Sequence, residues 1–302
     1  MNQTFGVRGF VTIATGAARY YDLAVNLLHS YRFFCSNPYP FAIICDHENE
    51  HTAEFDNVLI IPDPNYSYND KLRLDEFLPY DETIFIDADS LAYGDLNAWW
   101  DLFSKMDDFS VFGYAYRDLT TAKRWFRADG MREFTEYISF VPDFNGGVYY
   151  LRNTDKCRKV FELARYCAEH YHDYAFAGFR EPADEPVLAL GMAVCDCEPL
   201  NEDELIFAPT PKNAAYNITA GKALRKGSER NHRLIHWSNY LTLKSQYRLE
   251  VKRLNMLRSN EENLAARLLY GKGLALAYFW IYDIGAFCFR VWRKLKQIWG
   301  RK

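Results

Sequence analysis

The sequence predicts an α/β protein built on a mostly parallel central sheet flanked by helices. Three observations predict it. Short, continuous apolar runs recur at Phe10-Val11-Thr12-Ile13-Ala14-Thr15, Phe41-Ala42-Ile43-Ile44-Cys45, Val58-Leu59-Ile60-Ile61 and Thr83-Ile84-Phe85-Ile86. Runs without polar alternation belong to strands covered on both faces, the condition of a parallel sheet between helical layers. A segment of helical period separates the first two runs, and proline or glycine punctuates the joins. The chain of 302 residues can bury a full core, and its 49% hydrophobic and 25% charged residues are those of an ordinary globular protein.

In order, Phe10 to Thr15 is the first strand. Gly16-Ala17-Ala18 turns the chain into a helix in which Tyr20, Leu23, Ala24, Leu27, Leu28 and Tyr31 share a face, and Asn37-Pro38 ends it. Phe41 to Cys45 is the second strand and Val58 to Ile61 the third, stopped by Pro62 and Pro64. Asn69 to Leu78 reads as helical, with Leu72, Phe77 and Leu78 inward and Lys71 and Arg73 on the polar side. The fourth strand puts Thr83, Phe85, Asp87 and Asp89 on one face and Ile84, Ile86 and Ala88 on the other. Gly94 to Phe103 reads as a helix and Phe109 to Tyr116 as a strand. Asp118 to Ile138 is a polar and aromatic excursion with Lys123, Arg124, Trp125, Arg127 and Arg132. A strand over Phe144 to Leu151 follows, then a helix over Asp155 to His170 with Val160, Phe161, Ala164 and Cys167 inward.

Four stretches carry candidate chemistry. Asp87-Ala88-Asp89 arrives where the fourth strand ends, the place where open α/β sheets bind ligands. Two carboxylates there repel each other and suit a hard divalent ion with a phosphate partner; on the tripeptide alone, a solvated turn accounts for them equally well. Asn145-Gly146-Gly147 opens a strand where the backbone must bend or come close to something; a β-bulge with a capping Asn is the structural alternative. Asp184-Glu185-Pro186 reads as a helix start with Asp184 as N-cap and Pro186 in the first turn, or as two acids beside a ligand. Leu234-Ile235-His236-Trp237 is a short strand presenting a His, a core residue or a third metal ligand.

The net charge of -4 provides no field for nucleic acid. No Gly-x-Gly-x-x-Gly follows the first strand, and no Gly-Lys-Ser/Thr loop occurs, which disfavours dinucleotide enzymes and P-loop proteins. A phosphate would be held through a metal. The seven cysteines are scattered, and Cys195 and Cys197 lack a second pair at zinc spacing. With a polar Met1 to Gly9, the expectation is a reducing, cytoplasmic setting with free thiols. Lys222, Arg225, Lys226, Arg230 and Arg233 form a basic segment, either a solvated loop or a face for phosphate or an anionic acceptor.

Together these pieces resemble the nucleotide-sugar glycosyltransferases of the GT-A (Rossmann-like) fold, and among them the retaining family that includes glycogenin and the bacterial lipopolysaccharide galactosyltransferases. The resemblance runs from Phe10 to Lys244 through Ile13-Ala14-Thr15, Tyr20-Tyr21, Lys71-Leu72, Asp87-Ala88-Asp89, Phe144-Asn145-Gly146-Gly147-Val148, Asp184-Glu185 and His236. It implies a metal-dependent enzyme moving a hexose from a nucleotide sugar, a UDP-sugar in first place, to a hydroxyl of a carbohydrate, lipid-linked or protein acceptor, with retention. It implies Mn²⁺ (or Mg²⁺) on Asp87, Asp89 and His236, and catalysis at Asp184 and Glu185. Substrate-binding residues would be Thr15, Tyr20, Lys71, Asn145, Gly146, Gly147 and Lys244. Two departures stand out: Glu185 replaces the family's Gln, and Trp237-Ser238-Asn239-Tyr240 replaces its diphosphate clamp, leaving Lys244 as the nearest substitute. A catalytically degenerate carbohydrate-binding or assembly protein is the non-enzymatic alternative. A haloacid-dehalogenase-like phosphatase also uses Asp-x-Asp after a strand, but after its first strand rather than its fourth.

The resemblance assigns residues 1–244 to a catalytic domain and 245–302 to a helical C-terminal extension. Within the extension, Ser245 to Arg258 and Glu261 to Tyr270 read as helices, and Leu274 to Trp292 is apolar and aromatic with Asp283 in its middle. Arg290, Arg293, Lys294, Lys296, Arg301 and Lys302 follow without an acid. A spanning helix needs about 20 apolar residues, and a central Asp costs about 2.5–3.5 kcal/mol of insertion. The pattern therefore favours a helix lying on the cytoplasmic face of a membrane, with docking on the protein itself as the alternative.

Overall fold

The structure, a computed structural model, describes residues 5–120, 126, 136–173, 183–210, 212–259 and 279–284. The excursion's Lys123, Arg124, Trp125, Arg127 and Arg132, the helix expected over Glu261 to Tyr270 and most of the apolar C-terminal run lie outside the described residues.

The expected α/β architecture is present. The central sheet has the order β3-β2-β1-β4-β7-β6, formed by β1 (Arg8–Ala14), β2 (Phe41–Cys45), β3 (Asn57–Ile60), β4 (Glu82–Ile86), β6 (Phe109–Tyr116) and β7 (Val141–Arg152). The first four strands are parallel; β7 runs antiparallel to both β4 and β6. Because β1 sits between β2 and β4, the chain reverses its winding there, and the carboxyl ends of β1 and β4 flank the crevice of an open α/β sheet.

The alternation read from the sequence holds. Ile84 and Ile86 pack with α1 (Ala18–Phe34) and α2 (Trp99–Phe103) on one face of the sheet. Phe85 packs on the other face with α3 (Asp155–Glu169) and α4 (Asp184–Val194). β3 differs from the expectation of a doubly covered strand: it is only half-buried, and Ile60 is 45% exposed. It lies at the sheet edge, so one side of its ladder and part of its faces meet solvent. The segment expected as a helix over Asn69 to Leu78 is a 3-10 helix, Tyr68–Phe77, entered through Ser67, whose side chain accepts from Asn69 N.

A second, three-stranded sheet has the order β5-β11-β8, with β5 at Ser90–Ala92, β8 at Leu205–Phe207 and β11 at Leu234–His236. It follows the Asp87-Ala88-Asp89 turn directly. β11 pairs antiparallel with β5, placing His236 opposite Ser90. A hairpin pairs β9 (Ala214–Asn217) with β10 (Lys222–Arg225). After the short helix α5 (Ser238–Leu241) comes α6 (Ser245–Arg258), whose Tyr247 and Leu254 join the same core as α1.

Three arginines of the basic segment before His236, Arg225, Arg230 and Arg233, are committed to internal pairs. Arg225 binds Asp203 (3.0 Å), Arg230 binds Glu202 and Glu204 (2.7 Å each), and Arg233 binds Glu204 (2.5 Å). Glu204, 3% exposed, also accepts from Trp99 Nε1 at 2.9 Å, tying the small sheet to α2. Burial acts to raise its pKa, but Arg233, Trp99 and Arg230 outweigh it and hold the carboxyl below its ordinary value of 4.5. A depressed carboxyl stabilises the fold above its unfolded value and loses that contribution as pH falls through the folded one. Glu204→Gln is expected to cost about 1–3 kcal/mol near neutrality and to flatten the acid limb of melting temperature against pH, measured by calorimetry. An unchanged acid limb would show that this cluster does not govern it.

Candidate functional site

Backbone hydrogen bonds build the site before any side chain is considered. Asp87 N donates to Gly147 O (2.9 Å), fixing the end of β4 against β7. Trp237 N donates to Asp89 O (3.0 Å), extending the β5–β11 pairing to the second aspartate. The two carboxylates and His236 are thereby brought together, their nearest ligand atoms all within 4.8 Å of one another. His236 Nε2 lies 2.9 Å from Asp89 Oδ1 and 3.6 Å from Asp87 Oδ2. Its Nδ1 lies 2.6 Å from Asn145 Oδ1. An amide oxygen can only accept, so Nδ1 carries a proton and Nε2 is turned to the acids.

The electrostatics are those of a crowded carboxylate pair. Burial raises the pKa of Asp87, and Asp89 adds to the rise, while Lys71 and His236 act against it; the carboxyl stays above the usual range. Burial also acts upward on Asp89, but His236 beside it prevails and holds it below the usual range. Burial alone would lower His236, yet Asp89 and Asp87 raise it. Two carboxylates and one imidazole, with room for further oxygen ligands, suit a hard or borderline divalent ion such as Mn²⁺ or Mg²⁺.

Lys71 connects this cluster to the third stretch, Asp184-Glu185-Pro186. Its Nζ lies 2.8 Å from Asp87 Oδ2 and 2.9 Å from Asp184 Oδ2. Burial acts to lower its pKa, and Asp184 and Asp87 together hold it above the ordinary lysine value. Asp184 also accepts from Tyr149 OH at 2.7 Å. Asp184 is therefore not the N-cap that its sequence position suggested. Ala183 occupies that position, and the Asp184 carboxylate, drawn to Lys71 and Tyr149, makes no capping hydrogen bond. Sequence reasoning did not single out Tyr149. Its only signal is strand alternation after the glycine pair.

Asn145-Gly146-Gly147 does not open a strand but lies within β7, where pairing with β6 breaks register. Val111 faces Tyr149 and Gly113 faces Phe144, so the intervening residues of β7 bulge away from β6. Asn145 Oδ1 accepts from Gly147 N (3.2 Å), the capping role allowed for it. The glycines serve close approach. A Cβ on Gly147 would overlap the His236 ring and lie 2.9 Å from Asn145 Oδ1; one on Gly146 would lie 2.8 Å from Tyr149 OH and 3.0 Å from both Asp184 Oδ2 and Glu185 Cγ. The Gly146 N–H donates to Glu185 Oε1 (3.0 Å), and Asn145 Nδ2 lies 3.4 Å from the same oxygen.

A cavity of about 360 Å³ opens over Asp87 and Asp89 and is also lined by Thr15, Tyr20, Lys71 and Tyr66. Thr15 Oγ1 donates to the buried Asp70 (3.1 Å), and Asn239 Nδ2 donates to Tyr20 OH (3.1 Å). Asp70 and Asn239 also face this cavity. Lys244 lies elsewhere, just before α6, with its Nζ over the Tyr240 ring at 4.8 Å. A larger cavity of about 460 Å³ between α1 and α6 contains none of the site residues. The six described cysteines are free, as expected.

No protein-family model and no curated protein matches the chain. Solved structures do. The galactosyltransferase LgtC, in complex with donor and acceptor sugar analogs, shares 14% identity with a TM-score of 0.55 over 85% of this chain and 97% of its own. An active-site mutant of LgtC, carrying Glu in place of Gln, matches with a TM-score of 0.53 and 14% identity over 83% of this chain and 95% of its own. The apo glycosyltransferase GlyE of Streptococcus pneumoniae matches with a TM-score of 0.42 and 15% identity over 66% of this chain. This chain spans only about half, 46%, of the GlyE structure. The LgtC match shows that the chain has the GT-A glycosyltransferase fold.

Gly147→Ala is expected to push His236 away from the aspartates and weaken Mn²⁺ binding about 10- to 100-fold, read by titration calorimetry, with the far-UV spectrum unchanged. Wild-type affinity in that variant would separate His236 from metal binding.

Proposed function

We propose that the protein is a metal-dependent glycosyltransferase that moves a hexose from a UDP-sugar to a hydroxyl acceptor with retention. The observation that carries this reading is the meeting of Asp87, Asp89 and His236 at the end of a central strand, joined through Lys71 to Asp184. The LgtC structure that shares the fold was solved with donor and acceptor sugar analogs, which makes a sugar donor and a carbohydrate acceptor the first ligands to test.

Asp87, Asp89 and His236 would hold Mn²⁺ (or Mg²⁺), which when bound offsets the charge developing on the departing diphosphate. Thr15 and Tyr20, which line the cavity over the aspartates, would contact the nucleoside. Lys71 contacts the diphosphate or the adjoining sugar. Asn145 and the Gly146-Gly147 backbone face sugar hydroxyls, and Asp184, fixed by Tyr149, orients the ring. Glu185 stands where the resembled family has Gln. Its carboxylate attacks the anomeric carbon as the bond to the diphosphate oxygen breaks and the electron pair leaves with the diphosphate. The acceptor oxygen then displaces Glu185, which leaves as its carboxylate, and the acceptor proton passes to the bound nucleoside diphosphate. Two displacements give net retention. Lys244, after the segment that stands in place of the family's diphosphate clamp, would be the remaining diphosphate contact.

No helix among the described residues is long and apolar enough to cross a membrane. We assign peripheral association with an anionic, cytoplasmic membrane face to the turn Phe279–Ile284, whose Phe279, Trp280 and Ile281 are exposed, and to the basic residues that follow it in sequence. Asp283 anchors this turn: its carboxylate accepts from Ser245 N (3.2 Å) and Oγ (2.6 Å) at the start of α6.

Asp87→Ala, or EDTA, is expected to lower hydrolysis and transfer of nucleotide sugars by about 100-fold or more, the scale of losing one stabiliser of a leaving charge. Full activity in either case overturns the metal role, and binding of UDP-sugars without any turnover by wild type would favour the degenerate binding protein. Glu185→Gln with normal turnover removes the nucleophile while leaving the class intact. Replacing Phe279, Trp280 and Ile281 together by Ser, with Asp283 kept, is expected to abolish sedimentation with phosphatidylserine vesicles; unchanged sedimentation overturns the anchor.

A further inference from the structure

The Tyr149 side chain is fully buried, and most of it behaves as a core ring. It stacks on Phe85 of β4, centroids 5.3 Å apart with planes 27° apart, and meets Phe109 and Phe144 at 5.8 and 6.2 Å. A phenylalanine would make the same three contacts. A buried hydroxyl is costly unless it is bonded, and this one donates to Asp184 Oδ2 at 2.7 Å. Gly146 makes room for it, since a Cβ there would lie 2.8 Å from the Tyr149 oxygen. Burial, then Asp184 and Asp87, push the phenol well above its ordinary value, so the proton stays on Tyr149.

The accepting oxygen is shared. Lys71 Nζ lies 2.9 Å from the same Asp184 Oδ2 and 2.8 Å from Asp87 Oδ2. Asp87 Oδ2 in turn faces His236 Nε2 at 3.6 Å. An Asp87 carboxylate that ligates a divalent ion holds a neighbouring ammonium less well, because two positive charges then meet across it. Lys71 is left with Asp184. Were the lysine its only partner, it could not turn away without abandoning a buried carboxylate, the costly half of a broken ion pair. With Tyr149 present, Asp184, 7% exposed, keeps a hydrogen-bond donor when the lysine leaves. Tyr149 need not move for this. Its ring is wedged among three aromatic side chains, whereas the ammonium sits on a flexible four-carbon stem.

We propose that Tyr149 is a positioning residue: its hydroxyl holds Asp184 in place of Lys71 and so frees the lysine ammonium to turn to the diphosphate of the donor. The proposal rests on the glycosyltransferase reading above and takes the diphosphate, rather than the sugar, as the Lys71 contact. Tyr149 itself touches no substrate; it acts through the one carboxylate oxygen that it shares with the lysine.

The test measures UDP binding to the full chain with Mg²⁺ by titration calorimetry. Tyr149→Phe keeps the ring and is expected to weaken UDP about tenfold, the scale of one hydrogen bond to a charged group, because Lys71 must then stay with Asp184. In an Asp184→Asn background no carboxylate holds the lysine there, and Tyr149→Phe is expected to leave UDP affinity unchanged, a coupling that a double-mutant cycle isolates. Lys71→Met serves as the background if Asp184→Asn does not fold, with the same lack of any further loss expected. A merely structural role for Tyr149 would loosen the site and weaken UDP equally in either background. Equal losses in both backgrounds, or no loss in Tyr149→Phe alone, overturn the proposal and leave the glycosyltransferase reading standing. Failure of the wild-type chain to bind UDP overturns that reading, and this proposal with it.

Discussion

Lys71 holds two carboxylates that the chain supplies from distant places. Asp87 comes from the end of β4 and Asp184 from the first residue of α4, and the ammonium lies within 3 Å of both. With Asp89 and Asp184, Asp87 makes three acids in one largely buried space, balanced by Lys71 and by the raised His236. Carboxylates so placed are costly without a cation, and removing one partner of a buried pair costs about 3–5 kcal/mol. The position of α4 against the sheet is therefore coupled to the charge state of the β4 terminus. Val187, Leu188 and Leu190 give α4 its apolar face, and the Lys71 bridge adds the polar contact that holds Asp184 beside Asp87.

Much of this was legible in the sequence where local chemistry decides. The segments at Phe41 and Phe109 match β2 and β6 in their boundaries: Phe41 to Cys45 is unbroken apolar sequence, and Phe109 to Tyr116 is rich in aromatic residues. The Asp87-Ala88-Asp89 motif was legible for the same reason: acids ending a buried strand lie at a sheet terminus. Other features depend on partners far along the chain. β3 looked like an inner strand because its residues are apolar, and only the strand order makes it an edge. Asp184 looked like an N-cap because the capping preference is local, whereas Lys71 and Tyr149 outbid the backbone amide through contacts that no window of sequence contains. Tyr149 went unnoticed because nothing distinguishes it from the neighbouring Tyr150, whose hydroxyl donates instead to Glu82 on the other side of the sheet.

Asp283 repeats that lesson outside the site. In the sequence it interrupts an apolar run and counts only as a penalty for membrane insertion. In the structure its carboxylate accepts two hydrogen bonds from Ser245, the first residue of α6, a place where helix amides have no partner of their own. One charged residue thus both argues against a span and ties the exposed aromatic turn to a helix whose Tyr247 and Leu254 lie in the main core.

The carboxylate at position 185 is constrained through Asn145. A glutamine there would carry its own N–H donors and could turn its amide to suit its surroundings. A carboxylate accepts only, so its partners must donate, and Gly146 N and Asn145 Nδ2 do. The Asn145 amide has no freedom to supply anything else. Its oxygen already accepts from His236 Nδ1 and from Gly147 N, which leaves the nitrogen facing Glu185. The protonated Nδ1 of His236 is in turn fixed because Nε2 faces two aspartates. A single chain of donors and acceptors runs from the Asp87–Asp89 pair through His236 and Asn145 to Glu185. The Glu185 carboxylate is therefore held by the same interactions that orient the histidine, and a change at either end is transmitted to the other through the orientation of one amide.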